Sequence, residues 1–159
     1  MQTSYHTKDN QAYQKVMVEI NSSKEEIFAH LATTKGIQEW FPELSFKGPK
    51  RMVFNLGNDE YAKMDVLRYD NPNFIHFTWD TGEVEILLED AENSTQLILN
   101  ERLPASFDNV ARDFAGWQFK TESIKSIAEG GEALEIDKDT FTALQKDIEK
   151  QLDLYKKPS

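Results

Sequence analysis

Between Leu44 and Leu103 the chain carries five or six short runs of β-branched and aromatic residues, each cut off by a turn cluster before it can lengthen. The cuts fall at Gly48-Pro49, Gly57-Asn58-Asp59, Asp70-Asn71-Pro72-Asn73, Asp80-Thr81-Gly82 and Glu92-Asn93-Ser94. Runs of that length joined by so few residues pair antiparallel with their neighbours, so the middle of the chain predicts a meander. Alternation of Val84, Ile86 and Leu88 with Glu83, Leu87 and Glu89, polar but for Leu87, gives the sheet one dry and one mostly wet face. A dry face has to be covered by a second layer.

The flanks supply that layer. Tyr13 to Ile20 alternates as a further strand, with Val16, Val18 and Ile20 on one side. Ser22 and Glu25 have capping-box spacing ahead of a helix whose stripe is Ile27, Phe28 and Leu31, and which should end near Thr33 or Thr34. Gly36 to Phe41 reads as a short helical turn stopped by Pro42. After Pro104 the period is helical from Asp108 to Glu129, where Gly130-Gly131 stops it. Val110, Phe114, Trp117, Thr121, Ile124 and Ala128 form one inward stripe of that helix, and Phe119 lies off it and needs other cover. Asp137 can cap a last helix in which Phe141, Leu144, Ile148, Leu152 and Tyr155 share a face, expected to pack back on the body.

This order is α+β: a curved antiparallel sheet of six or seven strands wrapped on one long helix, with an extra C-terminal helix. The expected organisation is a mobile leader over 1–11, one domain over 12–131, and a helical extension over 132–159 packed on it. Where a curved sheet and a straight helix diverge, side chains leave volume between them, and that volume is a pocket.

Composition removes several classes of function. The chain's 159 residues suit a single core. With no Cys there is no disulfide framework, thiolate nucleophile or Cys-based zinc site, and a reducing, cytoplasmic setting is expected. A formal charge of −10 repels phosphate backbones and anionic lipid, so neither nucleic acid nor a membrane surface is an expected partner. No apolar segment approaches the roughly 20 residues that span a bilayer, and residues 1–11 lack a signal peptide's apolar stretch.

Several segments carry a resemblance. Val18-Glu19-Ile20-Asn21-Ser22-Ser23-Lys24-Glu25-Glu26-Ile27-Phe28, followed by Trp40-Phe41, resembles the opening of domains of the Hsp90 ATPase activator homologue (AHSA1) type, a branch of the START-like (SRPBCC) superfamily. Asn71 to Trp79, with its Phe77-Thr78-Trp79 ending, is similar to that family's turn and apolar strand. Ser94 to Leu99 is similar to its last strand, and Ala115-Gly116-Trp117 to the Gly-Trp of its final helix. The resemblance covers roughly Lys15 to Ile127. It implies a helix-grip (START-like, Bet v 1-like) fold with an apolar cavity between sheet and long helix. For function it implies binding of a small hydrophobic ligand, with a chaperone-type protein partner and a role in stress response as the alternative, and an aromatase- or cyclase-like enzyme as a third. Only a short leader is expected ahead of the first strand, so the N-terminal half of a eukaryotic co-chaperone has no counterpart in this reading. A monomer or weak homodimer is expected.

The candidate ligand-binding residues are chiefly aromatic. Ile75, Phe77 and Trp79 share one strand face, joined on the interior by Met64, Val66, Val84, Ile86, Leu97 and Leu99, with Phe114 and Trp117 descending from the helix. An ordinary core is the competing reading for each residue taken singly. Trp40 and Phe41 either gate an opening or pack against the first helix. Strict alternation turns Glu101 inward, where it would bind a ligand hydroxyl or act as a base; a rim salt bridge to Lys or Arg is the alternative. His6, His30 and His76 lack metal-ligand spacing. No phosphate loop, nucleophile elbow or His-Glu-x-x-His helix is present, so no catalytic residue, cofactor or metal is assigned.

Overall fold

In the computed structural model, which describes residues 1–156 and side chains as far as Asp153, strands end at the turn clusters. The elements run β1 (Gln2–Lys8), β2 (Gln11–Ile20), α1 (Lys24–Ala32), α2 (Thr34–Ile37), β3 (Leu44–Phe46), β4 (Arg51–Gly57), β5 (Glu60–Asp70), β6 (Phe74–Trp79), β7 (Gly82–Ala91), β8 (Ser94–Pro104), α3 (Val110–Ala128) and α4 (Lys138–Lys156). All strands join one curved antiparallel sheet in the order β1-β2-β8-β7-β6-β5-β4-β3. The meander closes on the chain's own beginning, because β8 returns to pair with β2 in the register Val16↔Leu99 and Gln14↔Glu101.

The sheet has eight strands rather than six or seven. The extra one corrects the expectation of a mobile leader: Gln2–Lys8 is hydrogen-bonded to β2 over its whole length. Asp9 and Asn10 are the physical reason. Both adopt positive φ (52° and 61°), the conformation a two-residue type I′ hairpin demands and that Asp and Asn tolerate. Tyr5 is the inward anchor of β1. It stacks on Phe114 at 6.3 Å between ring centres, and its hydroxyl accepts from Gln118 Nε2 at 2.5 Å.

The cap of α1 sits one residue later than expected. Ser23 and Glu26 have the same spacing as Ser22 and Glu25, and Ser22 is already tied to the sheet: its N–H donates to Ile20 O (2.9 Å) and its carbonyl accepts from Thr95 Oγ1 (2.8 Å). Ser23 Oγ therefore accepts the Glu26 N–H at 3.2 Å, while Ser22 Oγ donates to the Glu26 carboxylate at 2.8 Å. The short helix begins at Thr34 rather than Gly36, capped by Thr33, and its turns run on until Phe41 N–H reaches Ile37 O at 2.8 Å. Gly36 allows the two helices to touch, since a Cβ there would lie 2.0 Å from Ala29 O.

Phe114, Trp117, Thr121 and Ile124 of α3 are buried against the sheet, with Val110 and Ala128 half-buried at the ends of the stripe. A Schellman motif ends the helix, Gly131 N–H donating to Ser126 O and Gly130, at φ 95°, to Ile127 O. Asp137 caps α4 by accepting from Thr140 N at 2.8 Å. That helix packs on α3 and β1, burying Ile148 and Leu152, with Phe141 and Leu144 half-buried against the core. Phe119, off the stripe, is half-buried. The Tyr155 side chain lies outside the described residues.

Replacing Asn10 by Val puts a β-branched residue at positive φ, which costs about 1–2 kcal/mol. Because β1 is an edge strand the loss is expected to appear locally, as faster amide hydrogen exchange across Gln2–Lys8 with the amides of β8 unaffected.

Candidate functional site

The interior-facing residues expected from alternation are buried: Met64, Val66, Ile75, Phe77, Trp79, Val84, Ile86, Leu97, Leu99, Phe114 and Trp117. They are brought together as a packed cluster. Trp117 lies 5.1 Å from Trp79, 5.9 Å from Phe41, 6.2 Å from Phe77 and 6.2 Å from Trp40, ring centre to ring centre, at edge or tilted angles. Rings therefore occupy much of the space between helix and sheet.

A cleft of about 330 Å³ remains beside the N-terminal half of α3. Phe41, Trp79 and Trp117 form its aromatic floor, Phe107 and Phe141 its apolar walls, and Asp108, Asn109, Arg112, Asp113 and Lys120 its polar rim. Of the twelve candidate residues only Phe41, Trp79 and Trp117 line it. Met64, Ile75, Phe77, Ile86, Leu97, Leu99 and Phe114 lie in the core around it. Trp40 takes the packing alternative, its indole N–H donating to His30 O of α1 at 2.8 Å.

Hydrophobic periodicity could not find the rim, because Asp113 and Lys120 border the apolar stripe of α3 as charged residues and Arg112 and Gly116 lie further round the helix. Gly116 is the informative one. It sits in mid-helix, lines the cleft, and a Cβ built on it would meet nothing within 4 Å. Packing does not demand glycine there, although glycine in a helix costs about 1 kcal/mol relative to Ala. Lys120 borders the same opening; its Nζ donates to Trp40 O at 3.1 Å and lies 4.4 Å from the centre of the Phe41 ring. Burial lowers its pKa, against the opposing charge of Glu43.

Glu101 points inward, as strict alternation requires, and is 1 % exposed. The rim salt bridge is not its partner: among the described residues no Lys or Arg forms an ion pair with it. Instead Glu101 Oε1 accepts from Gln14 Nε2 at 2.9 Å, while its Oε2 is buried without a hydrogen-bond partner and the Asp113 carboxyl is a close neighbour. Burial, then the neighbouring Asp113 carboxyl, hold the Glu101 pKa well above the usual carboxylate range, with the Gln14 bond opposing.

Glu101 and Gln14 belong to a longer buried chain. Gln118 Nε2 donates to both the Tyr5 hydroxyl and Gln14 Oε1 (3.1 Å), Gln14 Nε2 to both Glu101 and Phe114 O (3.1 Å), and Trp79 Nε1 reaches the Asp113 oxygens at 3.2 and 3.3 Å. Side chains from β1, β2, β8 and α3 are linked by the glutamine bonds, and Trp79 of β6 is tied to α3 at the cleft floor by the indole contact. Elsewhere, His30 and His76 face Glu39 and Glu83, His6 stacks on Tyr13, and no group of ligands suited to a metal is found among the described residues. No helix among them is long and apolar enough to cross a membrane.

No protein-family profile matches the chain, and no curated protein does. Solved structures do. A conserved protein of unknown function from Enterococcus faecalis superposes with a TM-score of 0.86 at 25 % identity, over 98 % of this chain and 92 % of its own. CalU16 from Micromonospora echinospora follows at TM-score 0.71 and 15 % identity (97 % and 95 % covered), and the Aha1 dimer from Colwellia psychrerythraea at 0.64 and 21 % (74 % and 96 %). The chain has the helix-grip fold that these structures share. Its β1 and α4 fall within the length shared with the Enterococcus protein, so both flanks belong to a recurring architecture.

The raised Glu101 pKa has a definite sign. The folded state holds a proton that the unfolded chain releases near pH 4.5, so stability from this group is full below that pH and is lost as pH rises toward the folded pKa. Glu101→Gln keeps the shape of the side chain without the titration. Its stability relative to wild type is therefore expected to increase as pH rises above about 4.5, read from paired urea unfolding curves; a difference constant with pH would place the proton elsewhere.

Proposed function

We propose that the chain binds a small, flat hydrophobic or aromatic molecule in the cleft beside α3. The observation that carries this reading is the helical Gly116 above an aromatic floor: it weakens its own helix, is not needed for packing, and keeps open a space lined by Trp79, Trp117 and Phe41. A volume of about 330 Å³ is at the small end of ligand pockets and suits one or two fused rings rather than a sterol. Affinity would come from apolar area removed from water, at about 25 cal/mol per Å², with the rim fixing orientation. The acidic, cysteine-free composition fits a cytoplasmic setting.

The finer family assignment, to the AHSA1-type branch, is part of the same proposal and is supported by the four sequence motifs and by the likeness to the Aha1 protein. A second reading, acid–base chemistry of the aromatase or cyclase kind, draws on the neighbouring Glu101 and Asp113 carboxyls, the first with its pKa raised by burial and the second lining the cleft. Exchange of the α-protons of an aromatic ketone in D2O, faster with wild type than with Asp113→Asn, would favour it.

Two substitutions separate the function of Gly116 from its structural cost. Gly116→Ala is expected to raise stability by about 0.5–1 kcal/mol, measured by chemical denaturation. Gly116→Leu fills the cleft and is expected to abolish saturable amide NMR shifts around Trp79 and Trp117 on titration with two-ring aromatic probes, while the spectrum stays folded. Absence of saturable shifts in the wild type, across two-ring, flavonoid-like and fatty-acid probes, would overturn the binding reading.

A further inference from the structure

Asp113 and Lys120 stand seven residues apart on α3, about 10 Å along the axis, with Gly116 between them on the side lining the cleft. A ring system seated over Gly116 therefore meets a different polar group at each end. At one end Lys120 is largely committed, to the Trp40 carbonyl and the Phe41 ring. At the other, Asp113 is under-used. A carboxylate offers about four acceptor positions, and Asp113 receives one long, shared contact from the Trp79 indole. No Lys or Arg forms an ion pair with it among the described residues.

The charges around the opening narrow what can fill that capacity. Arg112 and Lys120 share the cleft and disfavour a cationic ligand, while Asp108 and Asp113 disfavour an anion placed at the Asp113 end. A neutral hydrogen-bond donor meets neither objection. We infer that Asp113, oriented by the Trp79 indole, accepts a hydrogen bond from the hydroxyl of a neutral hydroxylated aromatic ligand lying over Gly116. The inference rests on the binding function proposed above and names its ligand class. Glu101 stands behind Asp113 as a positioning residue, fixed to the sheet through Gln14.

Three ligands of one shape test this by isothermal titration calorimetry: 2-naphthol, 2-methoxynaphthalene and 2-naphthylmethylammonium. Wild type is expected to bind the naphthol at least about tenfold more tightly than the methoxy compound, the difference of one hydrogen bond to a charged acceptor. The ammonium compound should bind more weakly than the naphthol. In Asp113→Asn the naphthol advantage should shrink to within about threefold while the methoxy compound keeps its affinity, and Glu101→Gln, which retains the shape of the side chain, should preserve the advantage. Equal binding of naphthol and methoxynaphthalene by wild type, tighter binding of the ammonium compound, or an advantage that survives Asp113→Asn overturns the hydroxyl assignment and leaves the cleft as a binding site. Failure of all three ligands to bind overturns both. The wild-type comparison decides the matter even if Asp113→Asn does not fold.

Discussion

The seating of Trp117 is the contact on which the rest depends. A straight helix can lie in a curved sheet only if something large occupies the middle of the gap, and this indole does so, with rings from α2's exit, β6 and the sheet's concave face on all sides. Burial of a side chain this size contributes on the order of several kcal/mol, a substantial part of a domain's net stability. The same ring sets the limit of the open volume. Inward of Trp117 the interior is closed by apolar side chains; outward of it, where Gly116 contributes no side chain, the cleft begins.

Beside this apolar seat runs the polar chain from Tyr5 to Glu101, and its energetics are of another kind. Buried amides and acids are costly when unpaired and only modestly favourable when paired, so the chain adds little net stability. What it adds is position. Apolar contacts tolerate a helix sliding along a sheet better than hydrogen bonds do, and Gln118 and Gln14 make their bonds only with α3 in one register against β1, β2 and β8. Fixing that register also fixes where Asp113 and Gly116 meet the cleft.

Much of this was legible in the sequence because antiparallel strands with one wet face write their burial as alternation. The inward sets of β5 to β8 and the stripe of α3 could be read residue by residue, and so could the inward turn of Glu101. The first strand could not, since Gln2, Ser4 and His6 are polar and exposed or half-exposed and only Tyr5 faces in; the signal that was present, Asp9-Asn10, is a turn signature rather than a pattern of burial. Adjacent pairs, Ser22-Ser23 and Glu25-Glu26, offered two equivalent capping frames, and the choice was made by a bond from Thr95 far along the chain. The rim of the cleft escaped for a similar reason. Asp113 sits one position before the apolar Phe114 and looks like any solvated helix residue until β8 is laid beneath it.

All three tryptophans lie in the one aromatic cluster, two of them within 6.2 Å of Trp117 as the third. Intrinsic emission from the folded chain is therefore a report from a single spot, with excitation shared among neighbouring indoles. A spectrometer watching that light sees the grip between long helix and sheet come apart, and is nearly blind to detachment of the outer edge strand or the last helix.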